Sequence, residues 1–266
     1  MAWLFPISSI RFFIFVMVMV AAGARAVVAQ PGPAAVSTFN SYISQVEARL
    51  QQQHRSPRDF IAPQDGARLR RGDQIIEQLT PAHGPDLPGG MLHHWRGTAF
   101  APGVTAADFE RLMTDYAAYP NIYAPQVLQA RILSHRDHRF SVMMRIVQKH
   151  VVTVVLDTAY DIAFGQLDVQ HGYSISRSTR VSEIESPGTR NERALGPDQD
   201  HGFLWRLNTY WSYEERDGGL YMQVESVSLT RSIPAGLGWV IKPFVESVPR
   251  ESLEFTLQST INALRK

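Results

Sequence analysis

Cysteine is absent from this chain of 266 residues, which excludes a disulfide framework, a thiolate metal site and a cysteine nucleophile. Neither sign of charge is in excess, since the formal net charge is +1. Proteins that bind nucleic acids normally carry a basic surface, so the composition predicts no nucleic-acid partner. The hydrophobic fraction of 44% is that of a globular protein. A chain of this length can build a core large enough to do without disulfides.

Linear signatures of the common enzyme classes are also missing. The sequence contains no Gly-x-Ser-x-Gly nucleophile elbow, no phosphate-binding P-loop, no His-Glu-x-x-His zinc motif and no dinucleotide-binding Gly-x-Gly-x-x-Gly. These absences do not exclude an enzyme, because a cavity that holds one acid and one base leaves no linear signature. The sequence predicts no cofactor.

Two pairs of histidines are the candidates for a metal site. His93 and His94 are adjacent, and adjacent side chains of a strand point to opposite faces, so both cannot easily ligate one ion. His135 and His138 flank Asp137 in a predicted turn, where they could hold zinc loosely. Solvated or structural histidines are commoner than ligands in such positions. No metal site is therefore predicted.

The N-terminus has the pattern of an export signal. Arg11 precedes the apolar run Phe12–Ala22, and Ala24-Arg25-Ala26 or Ala29 offers a small-residue cleavage site. The apolar run is shorter than the roughly 20 residues of a membrane span. We therefore predict a signal peptide over residues 1–29 and a periplasmic or secreted protein, with an uncleaved anchor as the alternative.

Residues 30–89 form a predicted N-terminal helical extension and linker. A Pro-rich stretch precedes a helix from Ser37 to about Gln53, along which apolar residues recur at helical spacing. The segment Thr80–Gly90 carries three prolines and three glycines, which is typical of a loop. We place a boundary there, before a main domain of residues 90–266. The apolar helix positions are Phe39, Tyr42, Ile43, Val46 and Leu50.

The main domain opens with the strand-like segment Met91–Phe100 and a short helix that Thr105 and Asp108 cap. Further strand-like segments follow, joined mainly by short turns, which indicates an antiparallel meander. These segments are Gln126–Ser134, Arg139–His150, Val151–Phe164, His171–Glu185, His201–Arg216 and Leu220–Arg231.

The last two segments form a predicted hairpin, because Asp217-Gly218 is a strong signal for a two-residue turn. Strand alternation then divides the hairpin into an apolar face, on which we expect the C-terminal helix to lie, and a polar face. The turn pairs Tyr210 with Glu225, Trp211 with Val224 and Tyr213 with Met222. The apolar face carries Phe203, Trp205, Leu207, Trp211, Tyr213, Met222 and Val224, and the polar face carries Arg206, Asn208, Tyr210, Glu225 and Arg231.

The closing segment Pro249–Lys266 predicts a helix that begins at Pro249, a residue that suits a first helical position. Leucine and isoleucine recur along it at helical spacing and make one apolar stripe. The preceding segment, Ser232–Val248, is predicted to be either a short helix that completes the core or a mobile flap over the mouth of a cavity. The stripe is formed by Leu253, Leu257, Ile261 and Leu264.

Two stretches resemble the helix-grip superfamily of START-like and Bet v 1-like proteins, which includes the coenzyme Q-binding and polyketide cyclase branches. They are HHWRGTAFAPGVTAADFERLMTDYAAYPNIYAP and GGLYMQVESVSLTRSIPAGLGWVIKPFVESVPRESLEFTLQSTINALR. The resemblance covers residues 91–266. It implies an α+β fold in which an antiparallel sheet of about seven strands wraps around a long C-terminal helix. The signal peptide and the N-terminal extension depart from the simplest members.

The resemblance implies binding of a hydrophobic or amphipathic small molecule, such as a lipid, a quinone or a polyketide-like compound, between the sheet and the C-terminal helix. The first alternative is an enzyme of the cyclase, hydratase or hydrolase type that uses the same cavity, with acid–base roles for a Tyr, Glu or His. Glu225 is the residue to test for such a role. The second alternative is a protein-docking module that uses the N-terminal helix. Contact with a membrane surface and the oligomeric state are left open.

Candidate ligand-binding residues come from the aromatic residues and from the polar residues inside strands. The aromatic residues either pack in an ordinary hydrophobic core or line a ligand-binding site. The polar set either pairs across strands on a wet face or turns inward, where an Arg could bind an acidic headgroup and a Tyr–Glu pair could orient a polar group. The candidates are Trp95, Arg145, Arg177, Trp205, Arg206, Tyr210, Trp211, Met222, Glu225, Arg231 and Trp239.

Overall fold

A large antiparallel sheet and a long C-terminal helix form the frame of the protein. The computed structural model describes residues 30–80, 87–149, 153–196, 199–232 and 238–266, and for residues 238–246 it describes the backbone alone. The predicted signal peptide lies outside the described residues. Within these ranges the helices are α1 (Pro33–Gln53), α2 (Gly66–Arg70), α3 (Ala106–Thr114), α4 (Tyr119–Ile122) and α5 (Gly238–Leu264), and a 3₁₀ turn spans Tyr116–Ala118.

The sheet has the strand order β1-β2-β9-β8-β6-β5-β4-β3, and the short β7 pairs with β6 outside this path. All pairs are antiparallel, which confirms the predicted meander. The count exceeds the predicted seven because the extension contributes β1 and a loop contributes β7. The strands are β1 (Ile75–Gln78), β2 (Gly90–Pro102), β3 (Val127–Arg136), β4 (Arg139–Lys149), β5 (Thr153–Gln166), β6 (His171–Glu185), β7 (Arg193–Ala194), β8 (Arg206–Arg216) and β9 (Gly219–Arg231).

The β8–β9 hairpin has the register that its turn residues predict. Asp217 and Gly218 both have positive φ, 56° and 74°, and they connect the paired residues Arg216 and Gly219. A two-residue turn of this kind matches the twist of the flanking strands. The predicted pairs Tyr210 with Glu225, Trp211 with Val224 and Tyr213 with Met222 are confirmed.

The two faces of the sheet are covered by different helices. On one face, called the inner face, Leu253, Leu257 and Ile261 of α5 form one apolar cluster with residues of β2, β8 and β9. Leu264 packs against this cluster, so the predicted stripe of the C-terminal helix is confirmed. On the opposite, outer face, α1 packs through Phe39, Ile43, Val46 and Leu50.

The predicted start of the C-terminal helix at Pro249 is wrong. The helix begins at Gly238 and continues through Pro249. A proline in a helix interior removes one backbone hydrogen bond, but the helix can continue on both sides of it. Pro249 therefore occupies an interior position of the helix and not its first turn. Residues 238–248 are thus helical, whereas 233–237 lie outside the described residues. No helix in the described part of the chain is both long and apolar enough to cross a bilayer.

The predicted strand His201–Arg216 begins later than expected, at Arg206. Side chains alternate between faces only within a strand, so the assignment of Phe203 and Trp205 to the inner face is wrong. Trp205 belongs to the outer apolar cluster under α1, and Phe203 is exposed.

The N-terminal extension is packed onto the main domain. α1 begins at Pro33, earlier than the predicted Ser37, with proline at a first-turn position that requires no backbone N–H. Its predicted apolar face is buried against the sheet. The extension also supplies β1, which pairs with β2. Segments 30–89 and 90–266 therefore form one packed unit within the described residues.

Candidate functional site

A row of polar side chains crosses the inner face of the sheet. Ser176 of β6 pairs with Thr209 of β8, Thr209 with Ser226 of β9, and Ser226 with Trp95 of β2. Residues paired on adjacent strands point to the same face. Since strands lie about 4.8 Å apart, the row is about 14 Å long. We call Trp95, Ser176, Thr209 and Ser226 the polar row.

Trp95 carries the most unusual polar atom of the row. Its side chain belongs to the inner apolar cluster, and its indole Nε1 is buried without a hydrogen-bond partner in the described part of the chain. A buried donor without an acceptor costs roughly 1–3 kcal/mol, and such donors are rare in native structures. An acceptor oxygen on a ligand that lies against the inner face would remove that cost.

The three hydroxyl side chains of the row are only half-buried, although they lie on the face that α5 covers. Their hydroxyl oxygens make no side-chain hydrogen bond to other described residues. One row further along the strands, α5 touches the sheet directly, because a Cβ on Gly97 would lie 2.8 Å from Cδ1 of Leu257. The three hydroxyl side chains are therefore more accessible than the neighbouring row at Gly97, where α5 contacts the sheet.

Apolar side chains flank the polar row on two sides. On one side lies the inner cluster with Trp211, Met222 and Val224. On the other lies a second cluster, formed by residues of β4 and β5, by the 116–123 segment and by Phe255 of α5. A molecule placed along the row would contact apolar walls with most of its surface and hydroxyl groups along one edge.

The ionisable groups of the second cluster are tyrosines. Burial raises the pKa of Tyr123 to about 12, although the nearby Thr260 hydroxyl partly opposes the shift, and burial also raises the pKa of Tyr160 to about 12. Both side chains are therefore neutral at physiological pH, and they can donate hydrogen bonds but do not act as bases. The polar row itself contains no carboxylate and no histidine.

A separate charged cluster lies on the outer face under α1. The buried Glu225 accepts hydrogen bonds from Nε2 of His94, at 2.9 Å, and from Arg49 of α1. Nδ1 of His94 lies 2.9 Å from the hydroxyl of Tyr42, also on α1. Arg96 approaches the second oxygen of Glu225 at 3.7 Å. Burial alone would raise the pKa of Glu225, but the hydrogen bonds and charges of His94 and Arg49 outweigh it and lower that pKa.

A second ionic contact ties the same helix to the sheet. Arg177 makes two hydrogen bonds to the carboxylate of Glu47, at 2.6 and 2.7 Å, and Tyr210 donates to that carboxylate at 3.1 Å. Bidentate Arg–carboxylate pairs are among the stronger charged contacts. The polar residues of the outer face therefore hold α1 in place.

The structure separates the candidate ligand-binding residues into two groups. Trp95, Trp211 and Met222 lie on the inner face. Trp205 lies in the outer cluster, and the side chain of Trp239 is outside the described residues. By register, the outer face carries Arg145, Arg177, Arg206, Tyr210, Glu225 and Arg231.

Most of the outer residues already have protein partners. Arg145 binds Asp157 at 2.7 and 2.9 Å and Glu192 at 2.7 Å, and Arg206 donates to the carbonyl oxygen of Trp205 at 2.8 Å. Within the described ranges, no group of three or more His, Asp or Glu side chains is placed to hold a metal ion.

The three hydroxyl residues of the polar row were not among the residues predicted from the sequence. A signal was available for two of them, because the predicted turn at Asp217-Gly218 pairs Thr209 with Ser226 on the apolar face of the hairpin. Small polar residues at inward positions of an otherwise apolar strand face are the pattern to look for. Ser176 required knowledge that β6, not β7, pairs with β8.

No protein-family model matches the sequence, and no curated protein matches it. Solved structures do match. A STAR-related lipid transfer protein from Xanthomonas axonopodis is 16% identical with a TM-score of 0.44, over 72% of this chain and 99% of that one. The Zhui aromatase/cyclase from Streptomyces sp. R1128 is 12% identical with a TM-score of 0.45, over 66% and 94%. Human STARD10 is 7% identical with a TM-score of 0.43, over 76% and 81%.

The described residues form an α+β fold in which a C-terminal helix covers one face of a large antiparallel sheet. The order of its strands and the position of α5 across the inner face agree with the architecture that the sequence resemblance implies. At these identities and TM-scores, the solved structures carry no argument about the ligand of this chain.

Proposed function

We propose that this protein binds a hydrophobic or amphipathic small molecule between the inner face of the sheet and α5. The observation that carries the proposal is the polar row, which combines a buried indole N–H that has no partner among the described residues with three half-buried hydroxyl groups between two apolar clusters. Ligand pockets commonly have this composition, with mainly apolar walls and a few polar groups that set orientation.

Binding would combine two contributions. Burial of apolar ligand surface contributes about 25 cal/mol per Å². The polar row then selects ligands whose oxygen atoms are spread along one edge, because its groups extend for about 14 Å across four strands. A long or polycyclic molecule with several oxygens fits this arrangement better than a plain acyl chain, which has its polar atoms at one end.

We further propose that the protein acts outside the cytoplasm. The support is the export signal in residues 1–29, with its apolar run and small-residue cleavage site. N-terminal sequencing of the protein recovered from the cell envelope or the medium tests this part. A first residue near Gln30 supports export, whereas an intact Met1 in the cytoplasmic fraction contradicts it.

Native mass spectrometry tests ligand binding directly. The protein is purified from its own cells without detergent and its mass is recorded under native and denaturing conditions. We expect an added mass that is present only under native conditions, and its value identifies the class of compound. If the native mass equals the denatured mass and does not change after incubation with a lipid extract of the same cells, the proposal is wrong.

A further inference from the structure

The edge strand β3 exposes apolar side chains that a soluble protein usually buries. Leu128, Ile132 and Leu133 are 45%, 46% and 51% exposed. The register with β4 shifts between Val127 and Gln129 and again between Ile132 and Ser134, which leaves Leu128 and Leu133 without paired partners, whereas Ile132 pairs with Val142 on the inner face. Unprotected apolar edges are normally avoided, and exposed apolar clusters commonly mark a contact surface.

The same β3–β4 hairpin concentrates positive charge. Arg131, Arg136 and Arg139 register on the outer face of the sheet, and all three are exposed. Among the described residues, none of the three has an acidic partner. Arg145, which lies on the same face of β4, differs from them because it binds the carboxylates of Asp157 and Glu192. The hairpin is thus a basic patch on a protein whose net charge is only +1.

A groove lies beside the hairpin tip on this basic face. Its volume is about 600 Å³, which is room for a small polar headgroup. Arg136, His138, Arg139 and Arg177 line it together with Asp137, and Phe164, Tyr173 and Ile175 contribute apolar surface. Arginine side chains are well suited to bind phosphate oxygens, since their planar guanidinium groups can donate two parallel hydrogen bonds.

We propose that the β3–β4 hairpin docks the protein on a membrane surface rich in anionic phospholipid. The arginines contact lipid phosphates, one headgroup occupies the groove, and Leu128, Ile132 and Leu133 enter the boundary between headgroups and acyl chains. Basic residues combined with exposed apolar ones are the usual pattern of proteins that bind at this boundary. This docking surface is separate from the polar row and does not depend on the ligand proposed above.

Pairing with a second copy of the chain is the main competing use of an exposed edge strand. In a symmetric antiparallel pairing, the two copies of β3 would bring their arginines together on the same face. Like charges placed opposite each other in a sheet are destabilising. An anionic lipid surface complements both the charge and the exposed apolar side chains, so the charge distribution favours the membrane.

Vesicle sedimentation tests the proposal with the purified protein. We expect binding to vesicles of phosphatidylcholine mixed equally with phosphatidylglycerol, weak binding to phosphatidylcholine alone, and release at high salt. Because each arginine near an anionic surface contributes about fivefold to affinity, the Arg136→Ala/Arg139→Ala variant should bind about 30-fold more weakly. The matched control, Arg55→Ala/Arg58→Ala, removes the same charge from exposed positions elsewhere and should bind like the wild type.

The apolar part is tested with Ile132→Ser/Leu133→Ser, which should also reduce sedimentation, and with Phe203→Ser as control, because Phe203 is an exposed apolar residue before β8, several strands away from β3. Equal thermal unfolding midpoints show that the variants are folded. The proposal is overturned if the wild type does not sediment with anionic vesicles or if the double arginine variant binds as tightly as the wild type. It is also overturned if ultracentrifugation shows a dimer that Ile132→Ser/Leu133→Ser dissociates, since the apolar edge would then be an interface between copies.

Discussion

His94 and Glu225 are joined by a 2.9 Å contact between the imidazole Nε2 and the carboxylate Oε2, on the face of the sheet opposite α5. α1 completes this cluster, since Tyr42 reaches the other ring nitrogen and Arg49 binds the same carboxylate. Tyr, His and Glu are residue types that acid–base enzymes use. In this protein they lie beneath a helix and not beside the polar row, so their position indicates a role in anchoring α1.

The Glu225→Gln variant should therefore lose stability and keep its ligand. We expect the free energy of unfolding to fall by roughly 3 kcal/mol, because His94 and Arg49 lose a buried anionic partner. Urea unfolding measures this change. Glu185→Gln is the matched control, since Glu185 forms an exposed pair with Arg193, and such pairs contribute at most about 1 kcal/mol. A stable Glu225→Gln protein that no longer binds ligand would contradict the anchoring role.

Stability should also fall on mild acidification because of His54. Its Nε2 lies 2.8 Å from the Ser212 hydroxyl and its ring stacks on Tyr173. Burial, assisted by the charge of Arg49, lowers the pKa of His54 from 6.5 to about 4. Between these pH values, the imidazole of His54 is protonated more readily in the unfolded chain than in the folded one. The contribution of neutral His54 to the free energy of unfolding is therefore complete above pH 6.5 and is lost as the pH falls toward 4.

Thermal unfolding midpoints measured between pH 6.5 and pH 4 test whether stability falls as the pH falls. The His54→Gln variant should show a flatter profile between pH 6.5 and 4 than the wild type. Glu225 adds a second loss at lower pH, because its folded pKa lies below the ordinary value of 4.5. Identical slopes for the wild type and His54→Gln would show that His54 does not titrate in this way.

Removal of apolar contacts of α1 should destabilise the whole protein. Phe39 is buried in the outer cluster, so Phe39→Ala should cost about 3–5 kcal/mol of unfolding free energy. Ser41→Ala, at an exposed position of the same helix, should change it by less than about 0.5 kcal/mol. Deletion of residues 36–53 should leave a protein without a cooperative unfolding transition. A deletion variant as stable as the full chain would instead identify α1 as a detachable docking element.

The polar row should control ligand affinity. In Thr209→Val/Ser226→Ala two hydroxyl groups are lost with little change in volume, and each ordinary hydrogen bond contributes about 1 kcal/mol. We expect the compound retained in native mass spectra to bind about 30-fold more weakly in a titration. Ser141→Ala removes a half-buried hydroxyl from the outer face of β4 and should leave binding unchanged. Equal effects of both variants would show that the row does not contact the ligand.

Much of the fold could be predicted because its signals are local. The turn residues Asp217 and Gly218 determine the register of the last hairpin through their positive φ angles. Thr105 and Asp108 form the predicted capping box at the start of α3. The apolar spacing in α1 and around Leu257 in α5 predicted which helix faces are buried. Each of these signals depends on residues a few positions apart in the chain.

Errors arose where tertiary contacts outweigh a local pattern. Pro249 marks a plausible helix start, yet the helix extends to Gly238 on its N-terminal side. Trp205 has the alternation of an inward strand residue, but it precedes the first residue of β8 and packs in the outer cluster. In the first case a residue that suits a helix start lies inside a longer helix. In the second, strand alternation was applied to a residue outside the strand.

The sequence by itself determined most of the strands, the two amphipathic helices and their order along the chain, since periodicity, caps and turns act over short distances. The sequence also placed the C-terminal helix on the apolar face of the last hairpin, whereas only the tertiary structure decided that α1 covers the opposite, outer face. On the outer face, Arg49 of α1 pairs with the buried Glu225, and Glu47 of α1 pairs with the exposed Arg177. Trp95 and the three hydroxyl residues lie on the opposite, inner face, which also carries other polar side chains such as His93 and Ser228. The physical reason is that a strand alternates its side chains between two faces but does not specify which face another part of the chain will cover.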